Sequence, residues 1–175
     1  MGNKILITGG AGYIGSHVAK QLLEQGEEII IVDNLSTGST KTLETLLRIK
    51  SFEFIELDLK EFDNVKTLLR EKSIHTIMHF AASIVVPESV TNPLKYYMNN
   101  TVNTTNLIQA AVEADIPHFI FSSTAAVYGE PTTIPQNGVD ETFPTEPINP
   151  YGMSKLMSEM VLRDTSKAHP LFKYV

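Results

Sequence analysis

Short runs of apolar, β-branched residues alternate five times with longer segments that are apolar at helical spacing, and this alternation leaves few folds open to the chain. Lys4 to Thr8 is the first such run, and Tyr13 to Gln25 follows it with Ile14, Val18 and Leu22 on one helical face. Glu28 to Asp33 carries Ile29, Ile30, Ile31 and Val32 in succession, the pattern of a strand buried on both faces of a parallel sheet. The alternation predicts a helix over Thr40 to Lys50, a strand over Phe52 to Leu57, a helix over Glu61 to Glu71 and a strand over Thr76 to Phe80. A long helical pattern then runs from Pro93 to about Ala114, and Pro117 opens a fifth strand, His118 to Ser122. Right-handed crossovers between parallel strands make this an α/β chain with a doubly wound parallel sheet.

The remainder of the chain departs from that rhythm. Gly129 to Asn149 is Pro-rich and non-periodic, longer than an ordinary connection, and reads as a functional loop or a linker. Asn149 followed by Pro150 is a helix start, an N-cap with Pro at the first helical position, so a helix should run through Tyr151 to about Ala168. Phe172 to Val175 reads as the beginning of a sixth strand.

Composition narrows the function classes. With 175 residues, 42% of them hydrophobic and 19% charged, the chain fits one globular domain spanning 1–175. A formal net charge of −6 argues against a nucleic-acid partner, which needs clustered Lys and Arg. No cysteine is present, so disulfides and thiolate metal sites are excluded. The apolar run Ile5-Leu6-Ile7 is too short for a signal-peptide core or a membrane helix, and the expectation is a cytoplasmic protein with no membrane partner. His75 and His79 have the spacing of helical metal ligands but fall in a predicted strand, and no metal site is expected.

Between the first strand and its helix, Gly9, Gly12 and Gly15 form a Gly-x-x-Gly-x-x-Gly turn. Missing side chains let the backbone approach a pyrophosphate, which the free N–H groups and dipole of the helix start would stabilise. The alternative is a tight turn that needs positive φ. Asp33 ends the second strand about 20 residues on, where a carboxylate can accept hydrogen bonds from ribose hydroxyls and repel a 2′-phosphate. Turn and acid together point to NAD rather than NADP, in a Rossmann-type NAD-binding fold. Asp33 could instead cap its loop, and Asp58, at the end of the third strand, could meet the adenine side of the same site or cap a turn.

Tyr151 and Lys155 lie four apart, on one face of the last helix, with Ser122-Ser123-Thr124 leaving the fifth strand at the edge where such sheets bind ligands. A neighbouring ammonium favours an ionised phenol, which makes Tyr151 a candidate base. Thr124 could orient a substrate alcohol and relay its proton to Tyr151. A Tyr and a Lys at this spacing could also do no more than cover a helix face.

These motifs resemble the extended short-chain dehydrogenase/reductase family. Thr8 to Gly15, Asp33-Asn34-Leu35, His79 to Ala82, Pro87 to Val90, Tyr96-Tyr97-x-Asn99-Asn100, Ser122 to Thr124 and Tyr151-x-x-x-Lys155 match its UDP-glucose 4-epimerase branch in order and spacing. The resemblance implies that Tyr13, Ile14, Asp33, Asn34, Leu35, Ser36, Thr37, Gly38, Asp58, Leu59, Phe80, Ala81, Ala82, Asn99 and Ser122 lie along NAD with the glycine turn, Tyr151 and Lys155. It implies catalytic roles for Thr124, Tyr151 and Lys155. One departure is Ile84, where that branch carries a Lys. The related 4,6-dehydratases follow the Thr with Asp-Glu; here Ala125-Ala126 stands, which argues against dehydration.

The implied reaction is epimerisation at C4 of a UDP-hexose: Tyr151 takes the 4-hydroxyl proton, a 4-keto sugar forms and rotates, and hydride returns to its opposite face. The alternatives are an epimerase of a UDP-N-acetylhexosamine or UDP-uronate, or a non-catalytic NAD-binding regulator. The resemblance also implies a C-terminal substrate domain not present in these 175 residues, an isolated chain that is inactive, and a homodimer formed through Leu94 to Ala114 and Tyr151 to Ala168.

Overall fold

The computed structural model of the chain describes residues 4–131 and 138–175, so part of the Pro-rich segment 129–149 lies outside the described residues. Six strands form one parallel sheet in the order β3-β2-β1-β4-β5-β6. They are β1 (Lys4–Thr8), β2 (Ile29–Asp33), β3 (Glu53–Glu56), β4 (Ile74–His79), β5 (His118–Phe121) and β6 (Lys173–Tyr174). The order runs outward from β1 to β3 and then reverses through β4, so β1 and β4 flank the crevice where a doubly wound sheet binds its ligand.

Alternation along the strands divides the core in two. Ile29 and Ile31 of β2, with Ile7 of β1, pack under α1 (Tyr13–Glu24) and α2 (Thr40–Leu47) against Ala19, Leu23, Leu43 and Leu46. Ile30 and Val32 face the other way and join Leu6, Ile77 and Phe119 beneath α3 (Phe62–Glu71), α6 (Asn103–Glu113) and α7 (Pro150–Ala168), which supply Leu68, Leu107, Ile108 and Leu162. Every residue of β2 is buried, because helices cover both faces of the sheet.

The segment between β4 and α6 differs from the single long helix that the sequence suggests. It comprises α4 (Val86–Thr91), the single turn α5 (Pro93–Tyr96) and a π-helical stretch, Tyr97–Val102, before α6 begins. The cause is the buried Asn100. Its amide turns inward to accept from Ser83 N at 2.8 Å and to donate to Ser83 O at 2.9 Å and Ser154 Oγ at 3.1 Å. Such a widened turn places one more residue on the inward face than α-helical spacing allows. Strand ends differ by a residue or two: β4 starts at Ile74 and stops at His79, and β5 stops at Phe121.

At the start of α7, Asn149 Oδ1 accepts from Gly152 N at 2.8 Å and Pro150 opens the helix, as the sequence suggests. The tail pairs as a sixth parallel strand through Lys173 and Tyr174. Among the described residues, no helix is long and apolar enough to cross a membrane.

Candidate active site

The site lies at the carboxyl ends of β1, β4 and β5 and has two halves. The first is the glycine turn. Gly9 has a φ of +72°, and a Cβ there would stand 2.6 Å from Ala81 N. Gly15 has no such φ but sits against the turn itself: a Cβ would press on the Gly9 carbonyl and come within 2.9 Å of its carbon. The turn thus combines a left-handed bend at Gly9, as the tight-turn reading requires, with close helix–turn packing at Gly15. Gly12 occupies the N-cap of α1 and offers no side-chain acceptor, and no acidic residue sits in the first turn. The start of α1 thus has no side-chain cap for its N–H groups. Tyr13 and Ile14 stand at this end 81% and 54% exposed.

Asp33 is buried and ties the half together. Its Oδ2 accepts from Ala11 N at 3.0 Å, and its Oδ1 accepts from Leu35 N at 2.9 Å, with Leu35 at φ 55°. The loop-cap alternative is realised, and each carboxylate oxygen keeps lone-pair capacity for a ribose hydroxyl. Asn34 Nδ2 donates to Asp58 Oδ2 at 3.1 Å, so the exits of β2 and β3 meet. Asp58 also caps its own turn by accepting from Lys60 N at 3.0 Å. Burial would raise its carboxyl pKa, but the hydrogen bonds from Lys60 and Asn34 and the Lys60 charge outweigh that and hold it below the ordinary value. Ser36, Thr37 and Gly38 follow on the same rim, and Leu59 is buried beneath it.

The second half gathers around α7. Lys155, 4% exposed, donates from Nζ to Ser122 O at 2.8 Å and lies 4.6 Å from the centre of the Phe121 ring. Burial lowers its pKa from 10.5 to about 8, partly opposed by the negative charge of Glu159. Thr124 Oγ1 accepts from Ala126 N at 3.2 Å and caps a 3₁₀ turn, Ala125–Tyr128, that brings no acid to the position where a dehydratase would carry one. One turn before Lys155, the Tyr151 ring meets Tyr96 edge-on at 6.4 Å between centres. Tyr96 is itself buried, with its hydroxyl 2.6 Å from Val85 O and 2.9 Å from Glu88 Oε2 and its one proton shared between them.

Phe80, Ala81 and Ala82 run between the two halves, Phe80 N bonding to Thr8 O at 3.0 Å. Asn99 Nδ2 reaches Ser83 Oγ at 3.1 Å. Ile84 is 67% exposed at the loop tip. His79 belongs to the frame of the site: it is 1% exposed, with Nδ1 2.6 Å from Thr8 Oγ1 and Nε2 2.8 Å from Thr104 Oγ1. His75 pairs instead with His118. No group of three or more metal-ligating side chains occurs among the described residues.

Sequence reasoning met Tyr96, Asn100 and Ser123 only inside the family motifs and gave them no role, and it missed Glu159, whose one legible signal is its place four residues beyond Lys155 on the same helical face.

A glycine turn held by the acid at the exit of β2, and a Tyr/Lys helix beside β5, on a doubly wound parallel sheet, are the features of a Rossmann-type α/β domain. Residues 6–175 match the family model described as GDP-mannose 4,6 dehydratase. The chain belongs to the extended short-chain dehydrogenase/reductase family, and it is similar to proteins named UDP-glucose 4-epimerase.

It is 45% identical over 168 residues to a UDP-glucose 4-epimerase of Azospirillum brasilense, covering 96% of this chain and 46% of that protein. The solved UDP-Glc/GlcNAc 4-epimerase of Campylobacter jejuni superposes with a TM-score of 0.94 at 57% identity, covering 99% of this chain and 52% of that one. A UDP-glucose 4-epimerase from Brucella ovis, solved in complex with NAD, gives 0.89 at 38% identity, with 98% and 50% covered. The chain thus spans about half the length of the relatives it matches.

Proposed function

We propose that residues 1–175 form the NAD-binding domain of a nucleotide-sugar 4-epimerase and supply its proton-transfer residues. The observation that carries this reading is the placement of Lys155: buried, hydrogen-bonded to Ser122 at the exit of β5, and one helical turn from Tyr151. The uncapped start of α1 takes the pyrophosphate, Asp33 the adenosine ribose, and Asn34 to Gly38 with Asp58 and Leu59 line the adenine end. Phe80 to Ala82, Asn99 and Ser122 border the nicotinamide end. NAD held there would accept hydride from sugar C4 and return it, so the reaction needs no second substrate.

The chain's own residues do the rest. Thr124 orients the 4-hydroxyl, and Tyr151 removes its proton as the 4-keto sugar forms, then gives a proton back after the ketone has turned its other face. Lys155 places a positive charge beside the phenol during both transfers. Ala125 and Ala126 leave no acid at that position to drive loss of water, which favours epimerisation over the dehydration named by the family model.

A UDP-hexose is the substrate that most of the relatives' names support. A UDP-N-acetylhexosamine is the second reading, favoured by the 57% identity to an enzyme named for both glucose and N-acetylglucosamine forms. The 175 residues alone should bind NAD without turnover, and the full-length protein should be a soluble homodimer.

The deciding experiment is Tyr151→Phe in the full-length protein, assayed for interconversion of UDP-galactose and UDP-glucose. NAD should stay bound while turnover falls at least a hundredfold; unchanged turnover removes Tyr151 from the mechanism. A parallel assay with UDP-N-acetylgalactosamine decides between the two substrates.

A further inference from the structure

Beside the Tyr/Lys pair, α7 carries a third group that the family motifs do not use. Glu159 lies one turn beyond Lys155 on the same face, and the Ser123 hydroxyl donates to its Oε1. Lys155 meanwhile holds the carbonyl of Ser122. Two consecutive residues leaving β5 are therefore gripped by two opposite charges spaced a helical turn apart, and the next residue in the chain is Thr124.

We propose that Glu159 is a positioning residue: through the Ser123 hydroxyl it fixes the segment that presents Thr124, and through its charge it keeps the Lys155 ammonium at its place over Ser122. This role rests on the reading of Thr124, Tyr151 and Lys155 given above.

Three features support it. The half-buried Glu159 carboxylate has a specific partner, so its direction is set. Its charge opposes the effect of burial on Lys155. Among the described residues, the acids of the neighbouring helices have other partners. His79, the titratable group facing Lys155 from the sheet, is buried and neutral. On α4, Glu88 is taken by Lys95 and Tyr96; on α6, Glu113 is taken by Lys66 and Gln109. On α7 itself, Asp164 pairs with Arg163 and Lys167. Tyr174 of β6, Val175 and the Arg163 guanidinium border the same surface pocket as Ser123 and Glu159.

The test reads Lys155 directly, without catalysis. The 175-residue chain is labelled with [ε-13C]lysine, the Lys155 signal is assigned by its loss in Lys155→Arg, and its titration is followed by NMR. The midpoint should lie near 8 in the parent chain. It should fall by about one unit or more in Glu159→Gln, which keeps an oxygen for Ser123 but removes the charge. An unchanged midpoint in a folded Glu159→Gln chain overturns the proposal. Should that variant fail to fold, Ser123→Ala is read instead: untethering the carboxylate should lower the midpoint by a measurable fraction of a unit, and no change overturns the proposal.

In the full-length protein the alkaline limb of turnover should move to lower pH by the same amount in Glu159→Gln. A lowered midpoint together with full activity in Tyr151→Phe would keep the clamp and discard the catalytic reading.

Discussion

The buried His79 makes acid sensitivity a quantitative expectation. Burial, reinforced by the nearby charge of Lys155, lowers its pKa from the ordinary 6.5 to about 3. In the unfolded chain the imidazole takes up a proton below pH 6.5; in the folded chain it does so only near pH 3. Between those values the unfolded state binds more protons, so stability is present above pH 6.5 and is lost as pH falls. Integrated from pH 7 to pH 4, the single site removes about 3 kcal/mol, with a slope near 1.4 kcal/mol per pH unit through the middle of the range. That is a large share of the roughly 5–15 kcal/mol that holds a domain folded.

The perturbation that isolates this contribution is His79→Gln, which offers Thr8 and Thr104 an uncharged donor and acceptor. Urea unfolding of both chains, followed by circular dichroism at pH 7, 6, 5 and 4, removes the contribution of the carboxylates common to both. The variant should be the less stable at pH 7, and the gap should close by about 3 kcal/mol on acidification. Curves that remain parallel down to pH 4 would refute the reasoning, since they would mean that the folded imidazole titrates as it does in the unfolded chain.

Other outcomes follow from the same geometry. Gly15→Ala forces a methyl onto the Gly9 carbonyl, so it should cost at least about 1–3 kcal/mol in urea unfolding and weaken NAD binding by calorimetry. Asn149→Ala removes the N-cap of α7 and should lower stability by about 1 kcal/mol, measured by the same unfolding assay. Asp33→Ala should weaken NAD and narrow its advantage over NADP in binding titrations. It should also lower the unfolding free energy by about 2 kcal/mol, because two backbone amides lose a charged acceptor.

Most of the sheet was legible because burial on both faces writes itself plainly into a strand: the unbroken Ile29 to Val32 run admits little else. The glycine turn, Asp33, Tyr151 and Lys155 were legible because each stands at a fixed offset from a strand or cap that periodicity locates. The π-helical stretch at Tyr97–Val102 was not, since the residue turned inward there is the polar Asn100, whose partners Ser83 and Ser154 lie far along the chain. Tyr96 was read only as part of the Tyr96-Tyr97-x-Asn99-Asn100 motif, and nothing local says that its ring meets Tyr151 edge-on from far along the chain. The Ser123–Glu159 contact joins residues 36 apart, a pairing that only the docking of α7 on β5 creates.

Under the proposed function Asp33 serves two masters, and this constrains how the protein can change. Its carboxylate staples the glycine bend to the exit of β2 before any nucleotide arrives. An exchange that opened the pocket to a phosphorylated ribose would unfasten both loops at once. A lineage or an engineer seeking the other coenzyme must therefore rebuild the staple first, with new acceptors for the Ala11 and Leu35 amides, and only afterwards add the basic group that would greet the extra phosphate.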